Sequence, residues 1–237
     1  MDSEDIVVPI DSVRILLHDI HNFNINIDSR EIYLHSFFGI DASDDYESGV
    51  DYRMSSVFIK NVNFLNSINN DNILVHLQTN GGDWYYGMGM YDSLLMSSSP
   101  TTVLVHSQSM SMGTVIMQSC DNRILMPNIE YMIHYGYAGA WSAKPTIYSV
   151  IDSYKRNDET MFNIYASRCV NGKFFSKKKY DKKQTISYIK KILKEKVDWH
   201  MDPQEAVDYG FADGIFGEKG FKDIDEIREI KKQRPFK

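Results

Sequence analysis

Three short apolar runs constrain this chain most: "NILVHLQT" (72–79), "TTVLVHS" (101–107) and "NRILMP" (122–127). Each is apolar almost throughout, so a strand made from it has to be covered on both faces. Segments of helical spacing separate them, "YYGMGMYDSLLMSS" ended by Pro100 and then "MGTVIMQSC". Upstream, "DSVRILLHDIHNF" has helical spacing and "REIYLHSFF" reads as a strand. "DYRMSSVFIKNVNFLNSI" is helical, with Val57, Phe58, Val62, Phe64, Leu65 and Ile68 toward one face, and "EYMIHYG" is a further strand. Strand–helix–strand repetition of this kind predicts an α/β fold with a parallel sheet covered by helices.

A different element follows. "KPTIYSVIDSYKRNDETMFNIYASRCV" predicts one helix of about 24 residues, about 36 Å long. Its apolar positions (Ile147, Val150, Ile151, Tyr154, Met161, Ile164 and Tyr165) spread too widely to be covered from one side. A protruding helix that needs cover points to a partner subunit. Next comes "NGKFFSKKKYDKKQTISYIKKILKEK", with ten lysines. It reads either as a solvated surface loop and helix or as a basic grip on nucleic acid. The net charge of -6 favours the first. In "DPQEAVDYGFADGI", Asp202 suits a helix cap, Pro203 the first helical position and Gly210 the left-handed stop. The tail beyond Gly220 is charged and reads as a peripheral helix or strand.

Composition removes several classes. With 237 residues, 43% of them hydrophobic, the chain can bury one sizeable core. Cys120 and Cys169 are too few for a disulfide framework and lack metal-ligand spacing, which favours a reducing compartment. The acidic start "MDSEDIVVPIDS" has no secretion-signal order, and no apolar run approaches the roughly 20 residues that span a bilayer. The expectation is a protein of the cytoplasm or a reducing organelle interior, with no membrane or nucleic-acid partner.

The candidate chemistry begins at "SQSMSMG" (107–113), a strand–turn–helix corner. A serine there, Ser111, either caps the helix or presents a nucleophile, as at a strained hydrolase elbow. "SMSMG" matches only the trailing half of that motif. His134 in "YMIHYG" ends an apolar strand, where parallel sheets bind ligands, and is either a general base or a satisfied core histidine. A base–nucleophile pair needs a third group to orient the imidazole. Asp198 in "VDWHMDPQEA" is the choice, because Asp202 is explained as a cap and Asp213 as a turn residue. The paired glycines of "QTNGGDW" either aim N–H groups into a pocket or make a simple turn.

Together these segments resemble the proteolytic subunits of the Clp protease, ClpP, from about Arg30 to about Ile215. "QTNGGDWYYGMGMYDSLLMSS" is similar to the family's N-S-P-G-G segment and following helix, and "QSMSMG" to Q-A-A-S-M-G. "MPNIEYMIHYG" resembles L-P-N-S-R-x-M-I-H-Q-P, and "DWHMDPQEAVDYGFADGI" resembles D-x-F-M-S-A-x-E-A-x-E-Y-G-L-I-D. The resemblance implies a serine endopeptidase with Ser111, His134 and Asp198 as the triad and the N–H groups of Gly82 and Met112 as oxyanion donors. It also implies an extended polypeptide substrate pairing with strand segments at Asp83, Trp84 and Tyr85 and at Gly136, Tyr137, Ala138 and Gly139.

The implied fold is the ClpP/crotonase type, repeated β-β-α units with a protruding handle helix. The implied division is an N-terminal segment with a short helix (1–29), a head domain (30–145 and 198–220), a handle helix with lysine-rich insertion (146–197) and a charged tail (221–237). The implied assembly is a homo-oligomer of seven-fold rings stacked as a tetradecamer, fed by an AAA+ unfoldase ATPase, with no cofactor and no metal. No GxxxxGK[ST] segment is present, consistent with a nucleotide site on a partner. Departures are the missing proline (Asn80 in its place), Tyr135-Gly136 after the histidine, and the lysine-rich segment, longer than usual and expected near the handle tip. Such divergence would suit a phage-encoded or organellar relative. Competing readings are a processing protease without an ATPase, as in viral prohead maturation, an inactive ring scaffold, and an acyl-CoA enzyme of the crotonase type.

Overall fold

The computed structural model describes residues 10–35, 49–139 and 141–230. The expected strand residues Ser36–Phe38, the first residues of the N-terminal segment and the end of the tail lie outside the described residues. In chain order the elements are α1 (Ile10–Phe23), β1 (Ile25–Asn26), β2 (Glu31–His35), α2 (Tyr52–Ile68), β3 (Ile73–Thr79), α3 (Trp84–Leu95) and β4 (Thr101–Met110). Then come α4 (Met112–Ile116), a 3-10 turn (Met117–Ser119), β5 (Asn122–Leu125), β6 (Glu130–Ile133) and α5 (Lys144–Cys169). The last are α6 (Lys173–Lys178), α7 (Lys182–Lys196), β7 (Trp199–Met201), α8 (Pro203–Tyr209), β8 (Gly214–Ile215) and α9 (Ile224–Arg228).

As the continuous apolar runs predict, β3, β4 and β5 lie parallel side by side. β2 joins β3, and a two-residue strand not anticipated from the sequence, β8, joins β5, both also parallel. Two antiparallel pairings were not anticipated, β1 on β2 and β7 on β6. Both β1 and β7 are too short to show a period. β4 runs three residues beyond its predicted end and changes partner along its length. Thr102–Val105 pairs with β5, whereas Gln108–Met110 pairs with β6. Between the two halves Ser107 has φ 55°, and the register against β3 shifts between Leu77 and Thr79. That bulge re-aims the strand end, a common use of bulges beside functional sites.

The main core lies on the face of Val75, Leu77, Val103 and Val105, under α2, α3 and α4. The Asp51 carboxylate accepts from the N–H groups of Arg53 and Met54 and starts α2. The helix buries Met54, Phe58, Val62 and Leu65, while Phe64 and Ile68 face outward. The buried stripe is therefore rotated from the predicted one, toward the side that meets the sheet.

On the opposite face, Leu74, Leu104 and Ile124 are covered by Ile227 of the tail helix α9. Arg228 ties that helix down by donating to Glu31. Burial raises the Glu31 pKa, but the neighbouring His76 imidazole and the hydrogen bonds from Arg228 and Tyr33 outweigh it and pull the carboxyl down to about 2.

α5 is 26 residues long, about 39 Å. Its buried side chains, Met161, Phe162, Tyr165, Ala166 and Cys169, all lie in the C-terminal half. The first half projects, with Tyr148 and Ile151 exposed. The lysine-rich segment packs along that buried half, not at the tip of the helix. Lys190 of α7 reaches Glu159 at 2.5 Å and lies over the Phe162 ring. A capping box at Asp181 starts α7, and Thr185, Ile189 and Leu193 are buried along it. Phe174 and Phe175 of α6 pack against the rings of Tyr188 and Tyr209. Apart from Lys190, the lysines therefore occupy the outer side of a packed, aromatic-lined element.

Asp202 caps α8 with a capping box and Gly210 ends it at φ 83°, as the sequence predicts. Asp213 does more than turn the chain. Its carboxylate accepts from Arg123 Nε at 2.9 Å and Nη2 at 2.5 Å, and Arg123 is buried.

Asp213→Ala should leave that guanidinium buried without its carboxylate and cost about 3 kcal/mol, read as a lower urea midpoint. Glu31→Gln tests the tail clasp. Because the folded carboxyl titrates below the ordinary glutamate range, its contribution is present above about pH 4.3 and is lost as pH falls toward 2. The stability difference between Glu31→Gln and the parent chain should therefore shrink on acidification across that window.

Candidate active site

Three neighbouring strands place the three candidate residues. Ser111 follows β4, whose Met110 pairs with Met132 of β6. His134 follows β6, whose Ile133 pairs antiparallel with Trp199 of β7. Asp198 immediately precedes β7. Adjacent strands lie about 4.8 Å apart, so residues at three adjoining strand ends come within side-chain reach. His134 Nε2 is 2.8 Å from Ser111 Oγ, and His134 Nδ1 is 3.0 Å from Asp198 Oδ1. A carboxylate only accepts, so Nδ1 carries the proton and Nε2 accepts from the Ser111 hydroxyl.

Ser111 stands at the cap position of α4 but makes no capping bond with its side chain. Its hydroxyl is directed to the imidazole. The backbone there has φ 49° and ψ −121°, outside the regions an L-residue ordinarily occupies. Asp198 is presented by a second such residue. Val197 has φ 63° and ψ −66°, and the Asp198 N–H donates back to the Lys196 carbonyl at 2.8 Å. This is a γ-turn of the strained hand, and a β-branched residue in it carries no sequence signal.

The paired glycines divide the work. Gly81, at φ 101°, packs on the corner itself. A methyl added there would lie 2.5 Å from Ser111 Cβ and 2.9 Å from the Met110 carbonyl oxygen. Gly82, at φ 144°, bridges to Val50, which donates to the Gly81 carbonyl at 2.6 Å and accepts from Asp83 N–H at 2.8 Å. Val50 did not stand out in the sequence and could be found only from the pairing.

These residues border a cleft of about 690 Å³ that is lined by Ser111, Met112, His134, Gly82, Asp83, Trp84 and Tyr85. Gly136, Tyr137 and Ala138 form its other side. Gly139 stands beside it and accepts from Tyr154 of α5 at 3.2 Å. The expected strand edge at Asp83–Tyr85 is not a strand. The Asp83 carboxylate accepts from Tyr85 and Tyr86 N–H groups, which opens α3 and removes those donors from any pairing. The backbone on that side that makes a sheet-like bridge is Gly82, to Val50. Residues 134–139 form neither helix nor strand.

Among the described residues no cluster of three or more His, Cys, Asp and Glu could hold a metal, and no helix is long and apolar enough to cross a membrane. Both cysteines are free and buried, and burial pushes the Cys120 thiol up to about 12. Chemically, a hydroxyl bonded to an imidazole that is anchored by a carboxylate is the arrangement of covalent hydrolases.

Comparison with known proteins agrees in family. A model of the Clp protease family matches residues 45–219, and the chain belongs to that family. ATP-dependent Clp protease proteolytic subunits resemble it. That of Deinococcus radiodurans is 27% identical over 76% of this chain and 78% of its own. That of Streptococcus sanguinis is 28% identical over 70% of this chain and 80% of its own. Among solved structures, ClpP1 from Listeria monocytogenes superposes with a TM-score of 0.61 at 21% identity, over 80% of this chain and 92% of that one. The fold is that of ClpP, and the chain is a ClpP-type peptidase.

Gly81→Ala checks the corner geometry. The added methyl, at a φ unfavourable for alanine, should cost about 2 kcal/mol or more in thermal unfolding. It should also displace Ser111 Oγ from His134 in a crystal structure of the variant.

Proposed function

We propose that the chain is a serine endopeptidase that cleaves extended polypeptide inside an oligomeric ring. One observation carries the reading: the Ser111 hydroxyl forgoes its helix cap and bonds instead to an imidazole held by Asp198. Ser111 Oγ attacks the peptide carbonyl while His134 Nε2 takes its proton. The imidazolium, stabilised by Asp198, then protonates the departing amine. Water attacks the acyl-enzyme by the same route in reverse. Gly82 and Met112 line the same cleft as Ser111, and their N–H groups are the donors proposed for the oxyanion, on the order of 3 kcal/mol each. The reaction needs no metal or cofactor.

Substrate backbone would pair with Gly82 on one side and with 136–139 on the other. Trp84 and Tyr85 then contribute side-chain walls. Backbone pairing tolerates many side chains, so broad sequence preference follows. Assembly is proposed as seven-fold rings, stacked in pairs. The exposed apolar residues of the projecting half of α5, Tyr148 and Ile151, need cover, which another copy would supply. The relatives' name as proteolytic subunits of an ATP-dependent protease makes a Clp ATPase the proposed source of unfolded chains. A reducing cytoplasmic or organellar interior suits the two free thiols. An inactive scaffold, or an acyl-CoA enzyme, would leave the aligned serine, histidine and aspartate without a task.

Hydrolysis of a short fluorogenic peptide by the assembled protein tests the reading. Ser111→Ala should abolish turnover, and Asp198→Asn should lower kcat by about 10³–10⁴. Undiminished cleavage by Ser111→Ala would reject it.

A further inference from the structure

We infer that Thr114 and Tyr165 form a hydroxyl clamp on the Ser111 carbonyl, and that Tyr165 of the long helix is a positioning residue for the nucleophile. The inference rests on the reading of Ser111 as nucleophile and adds what holds it in place. A residue with φ 49° and ψ −121° persists only where its surroundings over-determine it. The Ser111 N–H is fixed by donating to the Met132 carbonyl at 2.8 Å. Its carbonyl accepts twice, from the Thr114 N–H at 3.0 Å and from the Thr114 hydroxyl at 2.5 Å.

A threonine hydroxyl has one proton, and here it goes to the Ser111 carbonyl. The 2.7 Å contact between Thr114 Oγ1 and the Tyr165 hydroxyl therefore has tyrosine as donor. The direction of the chain is set: Tyr165 O–H to Thr114 Oγ1, then Thr114 O–H to Ser111 C=O. Both side chains are buried, so water does not compete. Burial also raises the Tyr165 pKa, which keeps its proton available. The Tyr165 ring meets the edge of Phe211 at 5.4 Å, which holds the phenol independently of its hydroxyl.

The clamp does not stand alone. Gln118 donates to the Thr114 carbonyl at 3.0 Å and accepts from Arg123 at 2.5 Å. The Arg123–Asp213 pair thus backs the same corner. Tyr165 belongs to α5, whose projecting half also touches the cleft, through Tyr154 on the Gly139 carbonyl and Ser153 against the Tyr85 hydroxyl at 3.1 Å. The seating of that helix and the geometry of Ser111 are therefore linked by hydrogen bonds.

The test is a cycle of variants measured for kcat and KM on a short fluorogenic peptide. Tyr165→Phe keeps the ring packing and removes the donor. It should lower kcat by about five- to twentyfold with KM within about twofold. Thr114→Val should lose at least as much, and Thr114→Ser, which keeps the hydroxyl, should recover most of that loss. The double variant Thr114→Val/Tyr165→Phe should be no worse than Thr114→Val alone, because the tyrosine acts through the threonine. An unchanged kcat in Tyr165→Phe, or losses that multiply in the double variant, would overturn the clamp.

Amide exchange gives a readout free of turnover. Exchange at 112–116 should speed up by about tenfold in Tyr165→Phe while α2 is unaffected, and unaltered exchange there would also overturn it. Parent protein that does not cleave the peptide would sink the serine-peptidase reading, leaving exchange to decide the clamp.

Discussion

The site depends on a backbone held where an L-residue resists going. Ser111, between β4 and α4, has a conformation that costs on the order of 1–3 kcal/mol. It is paid for by bonds on both of its peptide groups and by missing side chains around it. Gly81 leaves room for Ser111 Cβ, and Gly113 leaves room for the Thr79 methyl, which an added Cβ would meet at 2.5 Å. Relax that corner, and the hydroxyl would turn to the ordinary capping position, away from His134.

A second strained residue mirrors the first. Val197 occupies a γ-turn of the unfavourable hand so that Asp198 emerges opposite His134 at the start of β7. Between them, β6 supplies a rigid spacer, bonded to β4 on one side and β7 on the other. The two flexible-looking ends of the constellation are therefore tied to one sheet. Strain at both ends and regular pairing between them is the pattern expected where a rigid scaffold positions reactive groups.

Much of this was legible in the chain. Continuous apolar runs announced the parallel strands, and the Asp202, Pro203 and Gly210 signals marked α8 because caps and stops act locally. That the side chains of Ser111, His134 and Asp198 meet was foreseeable only by reading their motifs and the resemblance together, since each alone has a bland structural explanation. What stayed hidden depends on tertiary placement. β7 is three residues long and has no period to read. Val197 is a residue type that argues against its own backbone conformation. Thr114 and Tyr165 are ordinary helix positions 51 residues apart, and only the packing of α5 on α4 brings their hydroxyls together. The strand expected at Asp83–Tyr85 failed because a carboxylate cap, a purely local device, captured those N–H groups first.

The central claim is that one hydroxyl, at residue 111, is activated by the imidazole beside it. Incubating the assembled protein with a fluorophosphonate and mapping the adduct by mass spectrometry addresses it most directly. The account predicts one adduct, on Ser111, with labelling collapsing in a His134→Ala variant. An adduct on another residue, or labelling of Ser111→Ala at the parent rate, would contradict it.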